Sequence, residues 1–176
     1  MNIRHMLLAP VIALSACSAP PPQAVQQPAS APPPKVFTPV QTSQQPAGEW
    51  TDWQLALGDW VYRRDERGSI ALFGPIGGNA LVTMRCDTAR RKIYLAREGQ
   101  SVGMIVVRSS SAMKELTGVP TGGVPPYIAA EIAPNDPILD AMALSRGRIA
   151  INVAGQQPLA IPSWAEITRI VEDCRG

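Results

Sequence analysis

The chain has 176 residues, of which 45% are hydrophobic and 17% charged, with 16 Lys and Arg against 14 Asp and Glu. This length allows one domain of ordinary size, and the composition excludes both a fully disordered chain and an integral membrane protein. The only histidine, His5, lies in a segment that is predicted below to be removed. A mature chain without imidazole cannot form His-based catalytic triads or His-ligated metal sites.

The amino terminus is typical of a secretory signal peptide. The basic pair Arg4–His5 precedes an apolar run, 6–14, that is too short to span a bilayer. Residues 14–17 have the sequence LSAC, which resembles the lipobox of bacterial lipoproteins. The resemblance implies cleavage before Cys17 and attachment of fatty acyl chains such as palmitate to this residue. An ordinary signal peptide with a chance cysteine is the alternative. Lipoproteins retained at the inner membrane usually carry Asp directly after the lipidated cysteine. This chain has Ser18 there, so the resemblance implies the outer membrane, on its periplasmic face.

A proline- and glutamine-rich stretch follows the predicted anchor. Residues 18–47 hold nine prolines and six glutamines, with Lys35 as their only charge. Such a stretch buries too little apolar surface to offset the entropy of ordering, so we expect an unfolded tether that reaches up to roughly 90 Å in polyproline II. A ligand for a proline-binding groove is the alternative. The predicted organisation is a signal peptide over 1–16, a lipidated disordered linker over 17–47 and a globular domain over 48–176.

The domain has balanced charge, with 14 basic and 14 acidic residues, which argues against nucleic acid as a partner. Its four tryptophans are expected in the core. Short runs of alternating polarity predict strands at 60–64, 69–73, 80–86, 92–97, 102–108, 113–117, 127–133, 148–153 and 159–161. The first four strands are expected to form two hairpins, and 113–117 is expected to pair with 102–108 across the serine turn. Glycine, proline and asparagine predict loops at 74–79 and 118–126.

Two helices are predicted. Asp136 is placed as the N-cap of a short helix that has Pro137 at its first position and ends by Gly147. Ser163 and Glu166 are interpreted as a capping box for a C-terminal helix. The apolar stripe of that helix is Trp164, Ile167, Val171 and Cys174. The predicted fold class is mainly β (β-rich α+β), an antiparallel barrel or sandwich of short strands with a short helix and a C-terminal capping helix.

Several segments of the domain resemble a family of small, uncharacterised exported proteins of proteobacteria. The matching segments are GDWVY at 58–62, ALFG at 71–74, RCD at 85–87, DPILDAMALSRGR at 136–148 and PSWAEITRIVEDCR at 162–175. The resemblance supports export and the domain boundary. It implies no activity, no cofactor and no catalytic residue.

The cysteines predict one disulfide. With Cys17 assigned to lipid, Cys86 and Cys174 remain as an even pair in an oxidising compartment, where thiols of folded proteins pair. The bridge would fasten the last helix to the sheet. A redox-active thiol is the alternative, but Cys174 lies at a helix C-terminus, where the helix dipole disfavours a thiolate.

Two motifs are candidates for a catalytic role. The S-x-x-K sequence from Ser111 to Lys114 matches the nucleophile motif of penicillin-binding proteins and β-lactamases, but the sequence lacks their companion motifs. Asp136 and Asp140 are four residues apart without a clustered partner, and helix capping explains both. No catalytic, cofactor-binding or metal-binding residue is therefore predicted.

Six arginines form three local groups that suit phosphate or carboxylate, because guanidinium forks bind both anions. They are Arg63, Arg64, Arg90, Arg91, Arg146 and Arg148. Such an anion-binding patch would face lipopolysaccharide or peptidoglycan. Acidic residues lie close to these groups in sequence, so solvated surfaces with local ion pairs are the alternative interpretation.

The leading functional hypothesis is a non-enzymatic, lipid-anchored envelope protein whose small periplasmic domain binds or supports another envelope component. Its partners would be the membrane, through the lipid on Cys17, and a periplasmic or cell-wall protein. An inhibitor of a periplasmic hydrolase such as lysozyme is one alternative, and a hydrolase using carboxylates or Ser111 is another. A deep pocket with two converging carboxylates would favour an enzyme, whereas a shallow surface with a projecting loop would favour an inhibitor.

Overall fold

The computed structural model describes residues 48–100 and 102–176, so the predicted signal peptide, the lipidation of Cys17 and the tether lie outside the described residues. Nine antiparallel strands form one curled sheet, a half-barrel, accompanied by two short helices. The strands are β1 (Asp59–Asp65), β2 (Gly68–Gly74), β3 (Val82–Asp87), β4 (Lys92–Glu98), β5 (Gly103–Arg108), β6 (Met113–Pro120), β7 (Tyr127–Ile132), β8 (Arg148–Val153) and β9 (Leu159–Pro162). The helices are α1 (Pro137–Ala143) and α2 (Ala165–Arg175), and neither is long and apolar enough to cross a bilayer. The predicted fold class is confirmed.

The strand order is β1-β2-β3-β4-β7-β6-β5-β8-β9. The two predicted hairpins, β1–β2 and β3–β4, are confirmed, as is the pairing of β5 with β6. Between them, β7 returns beside β4, with Glu98 opposite Tyr127, so the β5–β6 hairpin is placed further along the sheet.

The two edges of the sheet approach each other. The Trp60 indole N–H on β1 donates to the carbonyl oxygen of Pro162 on β9 at 2.9 Å. The segment before β1 forms a single parallel bridge to β9 through Leu55. Gly58, at φ +148°, then lies so close to Gly74 that a Cβ would stand 2.5 Å from the backbone of Gly74. Only glycine fits at this start of β1, beside the end of β2.

Inward-facing side chains of the strands form the main core, which includes the fully buried Phe73, Met84 and Ile151. The two helices cover one end of the half-barrel, and α2 buries Ile167, Ile170, Val171 and Cys174 against it. The apolar stripe thus supplies the contact between α2 and the sheet, since burial of such side chains is the main stabilising contribution to a short helix.

The predicted disulfide is confirmed. Cys86 on β3 and Cys174 in the last turn of α2 are bonded, with their Cα atoms 5.4 Å apart and a sequence separation of 88. The bridge joins the end of α2 to the sheet at a point where a free helix end would fray.

A second, small apolar cluster lies on the outer face of the sheet. Trp53 packs there on Ala150 and Ala160, with Trp50 and Leu55 beside it. The chain before β1 is therefore attached to the outside of β8 and β9.

The capping box predicted for α2 is wrong. The N-cap is Trp164, which makes no side-chain capping hydrogen bond. The Ser163 hydroxyl instead donates to the carbonyl oxygen of Met142 in α1 at 2.6 Å. Trp164 is 45% exposed, so it does not belong to the core or to the buried stripe as predicted. The competing acceptor at the end of α1 decides the rotamer of Ser163.

Two boundaries also differ from the sequence prediction. The loop predicted from Gly118 begins later, because Gly118 pairs with Gly103 and Val119 pairs with Ala129 of β7. α1 ends at Ala143, before the predicted stop at Gly147. In β6, pairing on both sides outweighs the turn preference of glycine.

Candidate functional site

The six arginines predicted to bind anions occupy three places. Arg63 and Arg64 lie on β1, Arg90 and Arg91 in the turn after β3, and Arg146 and Arg148 at the entry to β8. Arg64 already pairs with Asp173 at 2.7 Å, and Arg90 pairs with Asp87 at 2.8 Å. Arg64 and Arg90 therefore form the local ion pairs of the alternative interpretation. Anion binding by the six arginines stays a prediction.

Two of these arginines converge on one cavity. Arg146 and Arg148 line a space of about 400 Å³ together with Trp50, Thr51, Ser109 and Ser110. Within it, Arg148 donates to the carbonyl oxygen of Trp53 at 2.6 Å, and the Arg146 amide donates to Ser110 Oγ at 3.1 Å. The Arg148 guanidinium thus helps to hold the entering chain against β8.

Two carboxylates are strongly held by guanidinium groups. Arg85 donates two bonds to Asp65, at 2.7 and 2.8 Å, and these lower the pKa of Asp65 to about 2. Asp87, almost fully buried, accepts from Arg67 at 3.0 Å and from the amide and side chain of Arg90, and these bonds lower its pKa to about 2. Both residues fasten turns at the same end of the sheet.

Three further carboxylates have pKa values below the ordinary one. Burial alone would raise the pKa of Asp136 and Asp173, but hydrogen bonds lower both. Asp136 pairs with Lys114 and caps α1 by accepting from the Ile138 amide at 3.1 Å, which confirms the predicted N-cap. Arg175, at 2.7 Å, lowers the pKa of Asp140. These carboxylates are arranged to stay ionised.

Acidification should destabilise the fold between about pH 4 and about pH 2. A carboxylate whose folded pKa lies below its ordinary value of 3.8 stabilises the fold above that value, and this contribution is lost as the pH falls through the folded pKa of about 2. Urea unfolding at about pH 6, pH 4 and pH 2 measures the loss. Asp87→Asn should be less stable than the wild type at neutral pH and should depend less on pH. A wild-type stability that is constant down to about pH 2 would contradict this account.

The S-x-x-K motif is placed unlike a nucleophile site. Ser111 lies in the turn between β5 and β6, and its amide donates to Ser109 Oγ at 3.3 Å. Lys114 lies on β6 as predicted, where its ammonium pairs with Asp136 rather than with Ser111. Lys114 therefore supports the N-terminus of α1.

One end of the half-barrel has loops without charge. Because the strands are antiparallel and paired to their ends, as at Asp59 with Gly74 and Glu98 with Tyr127, alternate connections meet at the same end. These connections are residues 54–58, 75–81, 99–100 with 102, 121–126 and 154–158. They contain no Asp, Glu, Lys or Arg, and we call them the neutral rim.

Hydrogen bonds hold the loops of the neutral rim to one another. The Tyr127 hydroxyl donates to the carbonyl oxygen of Ala80, and the Gly99 amide donates to that of Pro126 at 3.0 Å. Arg97, on β4, crosses the inside of the half-barrel and donates to the carbonyl oxygens of Ile151, at 2.8 Å, and Gln157. The rim is therefore a set of loops fixed to a common frame.

Four aliphatic side chains project from the neutral rim. Leu57 is 83% exposed, Ile76 92%, Val102 69% and Val124 99%, and each lies on a different connection. A groove of about 350 Å³ runs beside Ile76, between its loop and the outer face of β1, where Val61 is also exposed between the charged Asp59 and Arg63. Exposed apolar groups gathered at one place are typical of an interaction surface.

The signal for this surface in the sequence is the lack of charge that its loops share. The predicted loops 74–79 and 118–126 both lack charged residues. The strand order, which places them at one end, is not visible in either stretch alone.

No protein-family model, curated protein or solved structure matches the chain. The resemblance to exported proteobacterial proteins therefore stays a prediction. Within residues 48–100 and 102–176, no three His, Cys, Asp or Glu side chains are clustered as a metal site would require.

Proposed function

We propose that this protein is a lipid-anchored component of the bacterial cell envelope, and that its small β-rich domain binds another envelope component without catalysing a reaction. The main support for this proposal is the state of the three cysteines. Cys86 and Cys174 are bonded, which leaves Cys17 as the third and only other cysteine of the chain. Disulfides persist in oxidising compartments such as the periplasm. The bridge thus supports export, and the LSAC sequence supports acylation of Cys17.

The carboxylates favour a binding protein over a hydrolase. A carboxyl group acting as a general acid near neutral pH needs a raised pKa. Asp65, Asp87 and Asp136 all have lowered values and are tied to basic side chains. Lys114 is also engaged, with Asp136. These groups support the structure of turns and of a helix end, which is why we propose no catalytic residue.

The neutral rim is the surface best suited to binding. Its fixed loops present aliphatic groups to solvent at the end of the domain that the helices leave uncovered. The 75–81 loop, with Ile76 exposed, is the feature that favours the second candidate, an inhibitor that inserts one loop into a hydrolase. We prefer the first candidate because the exposed groups are distributed over four connections rather than one.

Replacing Cys17 with serine should abolish lipid labelling and release the protein from membranes, because the acyl chains have no other predicted attachment point. Labelling with a radioactive or clickable fatty acid, followed by membrane sedimentation, measures both effects. Ser15→Ala is the matched control, since a small residue remains at that lipobox position and both label and sedimentation should persist. Retention of label by Cys17→Ser would disprove the lipobox assignment.

A further inference from the structure

The two ends of the half-barrel differ sharply in charge. The connections of the neutral rim hold no charged residue, whereas those at the opposite end hold six. The six are Glu66, Arg67, Arg90, Arg91, Asp136 and Arg146, within segments 66–67, 88–91, 109–112, 133–136 and 144–147. Loops of soluble domains ordinarily carry charge, and 17% of this chain is charged. The neutral rim is therefore chemically distinct from the rest of the surface.

The projecting side chains of the rim are not required by the core. Ile76 and Val124 have almost all of their surface in solvent, so neither contributes appreciable buried area to folding. Uncharged polar residues lie on the same loops, Asn79 with Ile76 and Thr121 with Val124. The rim thus combines apolar tips with groups that can form hydrogen bonds and carry no charge.

We propose that the neutral rim docks on the surface of the lipid bilayer that carries the predicted anchor, inserting its aliphatic tips among the headgroups and upper acyl chains. Desolvating an ion in this zone costs much free energy. The loops themselves carry no ion, and the nearest charges, Asp59 and Glu98, lie on the strand ends next to them. Their polar groups remain at headgroup level, where hydrogen-bond partners are available. This inference deepens the proposed function, because it rests on an anchor that keeps a bilayer close.

The tips belong to different segments, which favours lipid over a shaped partner. Leu57, Ile76 and Val124 lie on three segments, and each segment also holds an uncharged polar residue. A protein partner would need a matching set of pockets, whereas a fluid bilayer adapts to any spacing. The absence of Lys and Arg from the rim also means that docking needs no anionic lipid.

The position of the tether permits this orientation. Trp50 lines the cavity with Ser110 and Arg146, so the described chain begins at the charged end, opposite the rim. The two ends of the half-barrel are separated by about the length of a seven-residue strand, roughly 23 Å. The predicted tether, which reaches up to roughly 90 Å, is long enough for the domain to turn its rim toward the membrane that holds it.

Site-specific fluorescence tests the docking without the anchor. In the full chain carrying Cys17→Ser, the other two cysteines are bonded, so an introduced cysteine is the only free thiol. Ile76→Cys and Val124→Cys, each labelled with the environment-sensitive dye NBD, should show a several-fold rise and a blue shift of emission on addition of phosphatidylcholine vesicles. Leu144→Cys is the matched control, because Leu144 is 79% exposed and follows α1 at the charged end. Its emission should not change.

The outcomes separate the alternatives. The response at Ile76 should persist at high salt, and a second substitution, Val124→Asp, should reduce it, because one inserted tip becomes an ion. No response at either rim position, or an equal response at Leu144, would overturn the docking. A response that appears without vesicles and grows with protein concentration would overturn it in favour of self-association. If NBD emission at the rim positions changes with vesicles but wild-type Cys17 carries no lipid, the proposed lipid anchor is wrong and the docking of the rim is still supported.

Discussion

Replacing Cys86 and Cys174 together with alanine should lower the free energy of unfolding by roughly 4–5 kcal/mol, the loss that chain-entropy arguments assign to a loop of this length. The bridge closes 88 residues, most of the described domain, and ends in the last turn of α2. Without it, the C-terminal turn that buries Cys174 beside Val171 is free to fray. Urea unfolding at neutral pH, with and without reductant, measures the change.

The comparison with Cys17 makes this prediction specific. Cys17→Ser, studied without lipid, should unfold at the same urea concentration as the unsubstituted unlipidated chain, because Cys17 is outside the bridge. Reductant should destabilise both of these proteins and leave the double alanine variant unchanged. An alanine variant as stable as the oxidised parent would show that α2 is held by its apolar face alone.

Replacing Arg97 with methionine should cost about 2–4 kcal/mol, because the carbonyl oxygens of buried Ile151 and of Gln157 lose their charged donor. The guanidinium is almost fully buried and reaches from β4 to Ile151 and Gln157, on the far side of the half-barrel. Burial lowers its pKa to about 10, so it remains charged at neutral pH. Methionine keeps the apolar stem and removes only the donors.

Two further variants test the cause of this loss. Arg63→Met is the matched control, since Arg63 is exposed on β1 and its replacement should leave the urea midpoint nearly unchanged. Arg97→Lys should lie between the wild type and methionine, because an ammonium cannot reproduce a fork that donates in two directions. If Arg97→Met matches the wild type, the cost of burying the charge cancels its hydrogen bonds.

Much of the fold follows from local sequence. Alternation over residues 60–73 and 80–97 predicted both hairpins, because the period of two is set by the strand itself. The stripe of Ile167, Val171 and Cys174 predicted the buried face of α2 for the same reason. The disulfide followed from parity, once Cys17 had been assigned elsewhere. None of these inferences needed a distant neighbour.

The sequence predictions are wrong where a group distant in the chain offers a competing hydrogen bond. Ser163 and Glu166 have the spacing of a capping box, but the Met142 carbonyl, 21 residues away, accepts the serine hydroxyl. Gly118 has the preference of a turn residue, but strands on both sides of β6 extend its pairing. Propensity is a weak local preference, and a tertiary hydrogen bond of about 1 kcal/mol is enough to override it.

The strands, the helix faces and the uncharged character of each loop could be derived from the sequence alone, because they depend on residues close in the chain. The cysteine pair could be derived as well, because only two cysteines remain once Cys17 is assigned to lipid. Tertiary packing places β7 beside β4 and brings Arg97 to Ile151, 54 residues further along the chain. The same packing brings the uncharged loops together at one end of the sheet. Strand order depends on which edges meet when the sheet curls, and that choice is made by packing of the whole core. The candidate surface belongs to this second group, since no single loop of the neutral rim has the property that their assembly creates.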